Sequence, residues 1–122
     1  MKNKSNSQGI IRVIKAFGFS FAGLRAAFVN EAAFRQEVVV ALVMAPVAVW
    51  FGQNGVERAL LVGSMLLVLL AELVNSAIEA VVDRVGEEQH HLSGRAKDIG
   101  SAAVLISIAH AVVIWFFILC GR

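Results

Sequence analysis

Apolar residues fall into three long runs along the chain. Val38 to Val56 contains no Asp, Glu, Lys or Arg, is broken by Pro46 and ends in "VWFGQNGV". Ala59 to Ala71 is the second such run, and it continues with isolated acids through Val82. Ile99 to Gly121 is the third, interrupted only by His110. About 20 mainly apolar residues cross the hydrocarbon core of a bilayer, so the first and third runs qualify as spans directly. The second qualifies if Glu72 is tolerated inside or near the membrane. Gly52, Asn54 and Gly55 in "FGQNGVE" mark the turn between the first two spans.

Ahead of the spans the period changes. At about 100° per residue, Ile10, Val13, Ile14, Phe17, Phe21, Leu24 and Phe28 fall on one stripe, with Arg12 and Lys15 on the other side. This predicts an amphipathic helix lying in the membrane interface, preceded by a mobile polar tail over residues 1–9. No continuous apolar core or small-residue cleavage site marks this stretch as a signal peptide. The expected organisation is one all-α membrane domain over residues 1–122. It comprises an interfacial helix at about 8–30 and spans at about 32–52, 57–86 and 94–120, the second with a cytoplasmic extension.

Composition agrees with this reading. Hydrophobic residues make up 58% of the 122 residues and charged residues 16%, with a mean hydropathy of +0.75. A soluble domain carries about 25% charged residues, and a small one needs more polar cover than a large one. The balance excludes a soluble globule, a disordered chain and a collagen. The single cysteine, Cys120, cannot close an intrachain bridge, which excludes a disulfide scaffold. A net charge of +2 without a dense basic cluster excludes a nucleic-acid partner. Of the 11 Lys and Arg residues, only Arg58 and Arg122 fall outside the N-terminal segment and second loop. That asymmetry predicts both of these in the cytoplasm and the C-terminus outside. Trp50 and Trp115 fall near the outer ends of their spans, where an aromatic belt is expected.

Some polar residues do not suit a membrane span. Glu72, Asn75, Glu79 and Asp83 project from one side of the second helix, within about 80° of arc. An ionisable group in the membrane is by default a functional one. The bland alternatives are an interhelical polar clasp through Asn75 and a solvated Asp83 or an Asp83–Arg84 pair. Glu31 either pairs with Arg35 on a helix or serves as a divalent-metal ligand. Glu37 begins the first span as a functional or a snorkelling charge. In the second loop Gly94 and Gly100 allow close backbone approach, Arg95 and Lys97 suit phosphate, and Ser93 or Asp98 lies near the start of the third span. His90 and His91 lack partners at zinc spacing, and His110 reads as a packing residue.

Together the cytoplasmic rim collects acids able to bind metal, cations able to hold phosphates, and one deeper acid. Phosphoryl transfer needs those parts, and the depth of Glu72 makes a lipid the acceptor. An ion- or proton-conducting oligomer, built on the Glu72, Asn75 and Glu79 face, is the reading of a different class.

The strings "GLRAAFVNEAAFRQE", "LLAELVNSAIEAVVDRVG" and "HLSGRAKDIGSAAVLI" resemble the small prokaryotic integral-membrane diacylglycerol kinases, with the likeness running from about Ile10 to Trp115. The resemblance implies a homotrimer of three-span subunits, each with an interfacial helix, in the bacterial inner membrane. It implies transfer of the ATP γ-phosphate to diacylglycerol with Mg²⁺, giving phosphatidic acid in lipid recycling. Residue by residue, it implies Glu72 as base, Asn75 as a residue that orients Glu72 or its substrate, and Glu31 and Glu79 as Mg²⁺ ligands. Arg12, Phe19, Glu31, Glu79, Glu88, Gln89, His90, Lys97 and Asp98 fall at the nucleotide. Arg12, Arg25, Arg35, Glu37, Trp50, Arg58, Glu72, Ser101 and Trp115 fall at the lipid. Phe19 and Gln89 stand where the family often has tyrosine, and His91 where glutamate is usual. An undecaprenol kinase of the same family shares the metal and base residues.

Overall fold

A computed structural model of the protein describes residues 2–86 and 90–121. It consists of four helices: α1 (Lys2–Asn30), α2 (Ala32–Phe51), α3 (Gly55–Val85) and α4 (His91–Cys120). There is no strand among the described residues. α2, α3 and α4 are each long and apolar enough to cross a membrane. The 20 residues of α2 extend about 30 Å, the thickness of the hydrocarbon core. α3 has 31 residues and α4 has 30, about 45 Å each. Both therefore outrun the core, and the polar C-terminal end of α3 emerges beside the polar N-terminal end of α4.

α1 begins at Lys2, well before the amphipathic stripe, so the expected polar tail is helical. Between Lys2 and Gln8 no glycine or proline breaks the backbone ladder, and polarity alone does not end a helix. The stripe itself remains exposed in the single chain, Ile14 and Phe17 included, as an interface-seeking face requires.

The turns are built by residues that reach backward. One extended residue, Glu31, separates α1 from α2. Arg35 then donates from Nη1 to the carbonyls of Phe28 and Val29, both at 2.9 Å, rather than pairing with Glu31. These are among the carbonyls that a helix end leaves without partners. The second turn repeats the device. Arg58 Nε donates to the Val49 carbonyl at 3.0 Å near the end of α2. Its stem packs on Gly52, where a Cβ would collide with Arg58 Cγ. Asn54 Oδ1 accepts from the Glu57 amide at 2.9 Å, and Glu57 Oε1 accepts from the Gln53 amide at 3.3 Å. This is close to the reciprocal capping arrangement. Pro46 sits within α2 without ending it, as spans tolerate.

Packing is concentrated between α3 and α4, and then between α2 and α3. The buried stripe of α3 is Leu61, Ser64, Val68 and Glu72, and that of α4 is Gly100, Ser107 and Ala111. Small residues on α4 let two backbones approach closely, the usual solution where apolar burial gives no drive between helices. A hydrogen bond joins the pair within the spans: Trp115 Nε1 donates to Ser64 Oγ at 3.1 Å, while Ser64 Oγ donates to the Leu61 carbonyl at 2.7 Å. Ser64→Ala leaves the indole N–H without that acceptor. We expect it to lower stability by about 0.6 kcal/mol, with about 1.7 kcal/mol as the upper range for such bonds. Unfolding in mixed micelles measures this, and an unchanged midpoint would remove the link from the account of α3–α4 packing.

Candidate functional site

The site forms where α3 runs past the α1–α2 junction on one side and α4 on the other. Glu72, on the buried stripe of α3, is only 8% exposed within a single chain. The single chain therefore already encloses it. One turn further, Asn75 Nδ2 donates to Glu79 Oε1 at 3.3 Å. Asn75 Oδ1 is buried and has no hydrogen-bond partner in the protein. Gly100 on α4 lies directly against it, and a Cβ there would collide with that oxygen.

Three other carboxylates, those of Glu37, Glu79 and Glu31, act electrostatically on Glu72. Glu31 and Glu37 are brought near by the one-residue junction before α2. The Glu31 side chain makes no cap bond to that helix, which leaves its oxygens free for a ligand. Glu31, Glu37, Asn75 and Glu79 are all half-buried. No cage of three metal-ligating side chains is present among the described residues. Mg²⁺ seldom uses one: it is ordinarily held by one or two carboxylates, with waters and substrate phosphates completing its shell. Carboxylates within electrostatic reach of one another and of a lysine fit that chemistry.

The cation is Lys97, whose Nζ lies 2.7 Å from Asp83 Oδ1 across α3 and α4. Asp83 thus pairs with Lys97 rather than Arg84. Both groups are well exposed, so the bridge holds Lys97 in place without removing it from solvent. Asp98 lies in a separate shallow depression with His91, Gly94 and Arg95. His90 caps α4, accepting from the Leu92 amide through Nδ1 at 3.1 Å, and its ring stacks on His91 with centroids 4.5 Å apart. Arg12 and Phe19 share a depression confined to α1 with Gln8, Ile11, Lys15 and Ala16. Glu88 and Gln89 lie outside the described residues.

A groove of about 710 Å³ between α1 and α3 ends at Glu31. Its walls are mostly small or apolar, including Gly23, Ala27, Ala77 and Ala80. Among the residues expected at the lipid, Arg25 and Ser101 are exposed, and Trp50 is 86% exposed. Arg35, Arg58 and Trp115 instead spend polar atoms on neighbouring backbone and side-chain groups. The bonds made by these three residues were not expected from the sequence. Small polar Ser64 in an apolar span and an arginine four residues into each new helix or turn are the only signals that point to them.

The fold and site define a small helical membrane protein that carries a carboxylate cluster beside cations on one side of its spans. A family model described as prokaryotic diacylglycerol kinase matches residues 18–119. The chain is 56% identical to the diacylglycerol kinase of Escherichia coli over 115 residues, which cover 94% of each chain. It is 50% identical to that of Pseudomonas aeruginosa over 113 residues, 93% of this chain and 92% of the relative. It is 45% identical to that of Haemophilus influenzae over 107 residues, 88% and 91% respectively. The protein belongs to the prokaryotic diacylglycerol kinase family.

Proposed function

We propose that the protein is an ATP-dependent lipid kinase that transfers the γ-phosphoryl group to diacylglycerol, giving phosphatidic acid. The observation that carries this reading is the buried Glu72 carboxylate on a membrane-spanning helix, on the same side of that helix as Asn75 and Glu79 and within electrostatic reach of Glu31 and Glu37. A base at that depth suits an acceptor hydroxyl that lies at the lipid headgroup. Glu72 takes the hydroxyl proton as the acceptor oxygen bonds to the γ-phosphorus and the bond to the bridging oxygen of ADP breaks. Asn75 orients the acids beside it. Glu31 and Glu79 hold Mg²⁺, which when bound neutralises charge on the phosphates. Lys97 reaches the phosphates, with Arg12, Phe19, Glu88, Gln89, His90 and Asp98 on the nucleotide side. Arg12, Arg25, Arg35, Glu37, Trp50, Arg58, Ser101 and Trp115 belong to the lipid side.

The working unit in this reading is a homotrimer in the bacterial inner membrane. The distribution of Lys and Arg supports a cytoplasmic N-terminus and second loop, which brings the site to the ATP-containing side. No observation favours an undecaprenol acceptor or an ion pathway. The test is radiolabelled ATP with purified protein in mixed micelles, offered diacylglycerol or undecaprenol. Labelled phosphatidic acid is expected. Labelled undecaprenyl phosphate instead would change the acceptor, and no labelled lipid would overturn the reading.

Asp83 competes with phosphate for Lys97. Asp83→Asn is therefore expected to lower KM for ATP by up to about fivefold, the reach of an exposed ion pair, with little change in thermal midpoint. A higher or unchanged KM in steady-state kinetics would mean that Lys97 needs Asp83 or does not meet ATP.

A further inference from the structure

We infer that Gly100 is a positioning residue for phosphoryl transfer: its bare backbone on α4 is the seat that holds the Asn75 carboxamide toward Glu79. The inference rests on the kinase reading above and concerns a residue that makes no contact with the reacting groups itself.

A glycine inside a helix costs about 1 kcal/mol relative to alanine, so a buried one needs a reason. At Gly100 the reason is steric. A Cβ would overlap Asn75 Oδ1 and sit 3.2 Å from Asn75 Cγ and 3.8 Å from Asn75 Cβ. The three nearest neighbours all belong to this one side chain. The carboxamide is planar, so its two ends move together. Nδ2 donates to Glu79 Oε1 at 3.3 Å, and Oδ1 is enclosed against the glycine without a partner. A methyl group at position 100 displaces Oδ1, and rotation of the amide carries Nδ2 off Glu79. The collision falls on the movable end of a side chain rather than on backbone. The helices need not part, so orientation is lost before the fold is.

The test is Gly100→Ala in the assembled protein, read by two measurements. The first is steady-state turnover. The second is binding of Mn²⁺ with a non-hydrolysable ATP analogue, followed by electron paramagnetic resonance. Loss of a partner that orients a metal ligand typically costs about 10- to 100-fold in affinity or activity. We expect losses of that order in both, with KM for diacylglycerol and the oligomer size unchanged. In an Asn75→Ala background, where no carboxamide remains to be displaced, adding Gly100→Ala is expected to cost little more in either measurement.

Wild-type turnover and Mn²⁺ binding in Gly100→Ala would overturn the inference, and so would an equal further loss in the Asn75→Ala background. If Gly100→Ala alone fails to assemble, recovery of assembly in the double variant keeps Asn75 as the side chain that the glycine serves. Failure in both would make Gly100 a helix-packing residue and overturn the proposal. An unsubstituted protein that phosphorylates no lipid would instead fail the kinase reading.

Discussion

Glu72→Gln is expected to remove at least a factor of about 100 from turnover, the lower end of what a positioned acid or base contributes, while the protein stays assembled. A hundredfold corresponds to about 2.7 kcal/mol of transition-state stabilisation. The substitution keeps shape, volume and one acceptor oxygen but removes the ability to take a proton. It therefore separates the two roles open to a buried acid on a span. If Glu72 clasped helices, an amide would substitute adequately in hydrogen bonding, and any defect would appear in assembly or in the thermal midpoint. If it is the base, the defect appears in turnover alone, with ATP and lipid KM little changed. Turnover in mixed micelles and particle size by light scattering distinguish the cases. Retained turnover would remove Glu72 from the chemistry, and lost assembly would return it to a structural role.

The three spans were legible because their apolar runs match the thickness of a bilayer, a constraint that acts on length and composition alone. The polar stripe on α3 was legible for a related reason: acids inside a span are expensive, so their spacing carries information. What the residues could not give is which polar atom meets which. Glu31 and Arg35 have helical spacing, yet Arg35 turns back to the carbonyls of Phe28 and Val29. The chain breaks at Glu31, so the two residues do not share one continuous helix face, and Arg35 reaches the unpartnered carbonyls that end α1. Asp83 passes over the adjacent Arg84 for Lys97, because neighbours in a helix diverge by about 100° while α4 presents its lysine across the groove. Gly100 was readable as a point of close approach, but only the packing of α3 on α4 identifies Asn75 as what approaches it.

Mixing Glu72→Gln subunits with Glu79→Gln subunits is expected to restore activity that neither variant has alone. A single subunit encloses Glu72 but leaves Asn75, Glu79 and Glu31 half-buried. A half-covered carboxylate beside lipid is costly, so in the proposed trimer a neighbouring subunit is the natural cover. Along one helix Glu72 and Glu79 are seven residues apart, about 10.5 Å of rise. They are thus free to serve different copies of the site. In a threefold ring every interface is head-to-tail, so a shared site takes Glu72 from one subunit and Glu79 from the next. With equal, randomly assorted subunits, about a quarter of the sites then carry both acids intact, as ring symmetry dictates. If instead both acids came from one chain, every site in every mixture would carry a defect, and activity would stay at background. Turnover of re-assembled mixtures, plotted against the mixing ratio, separates the two. A peak near equal proportions assigns the site to the interface, and a flat line assigns it to the single chain.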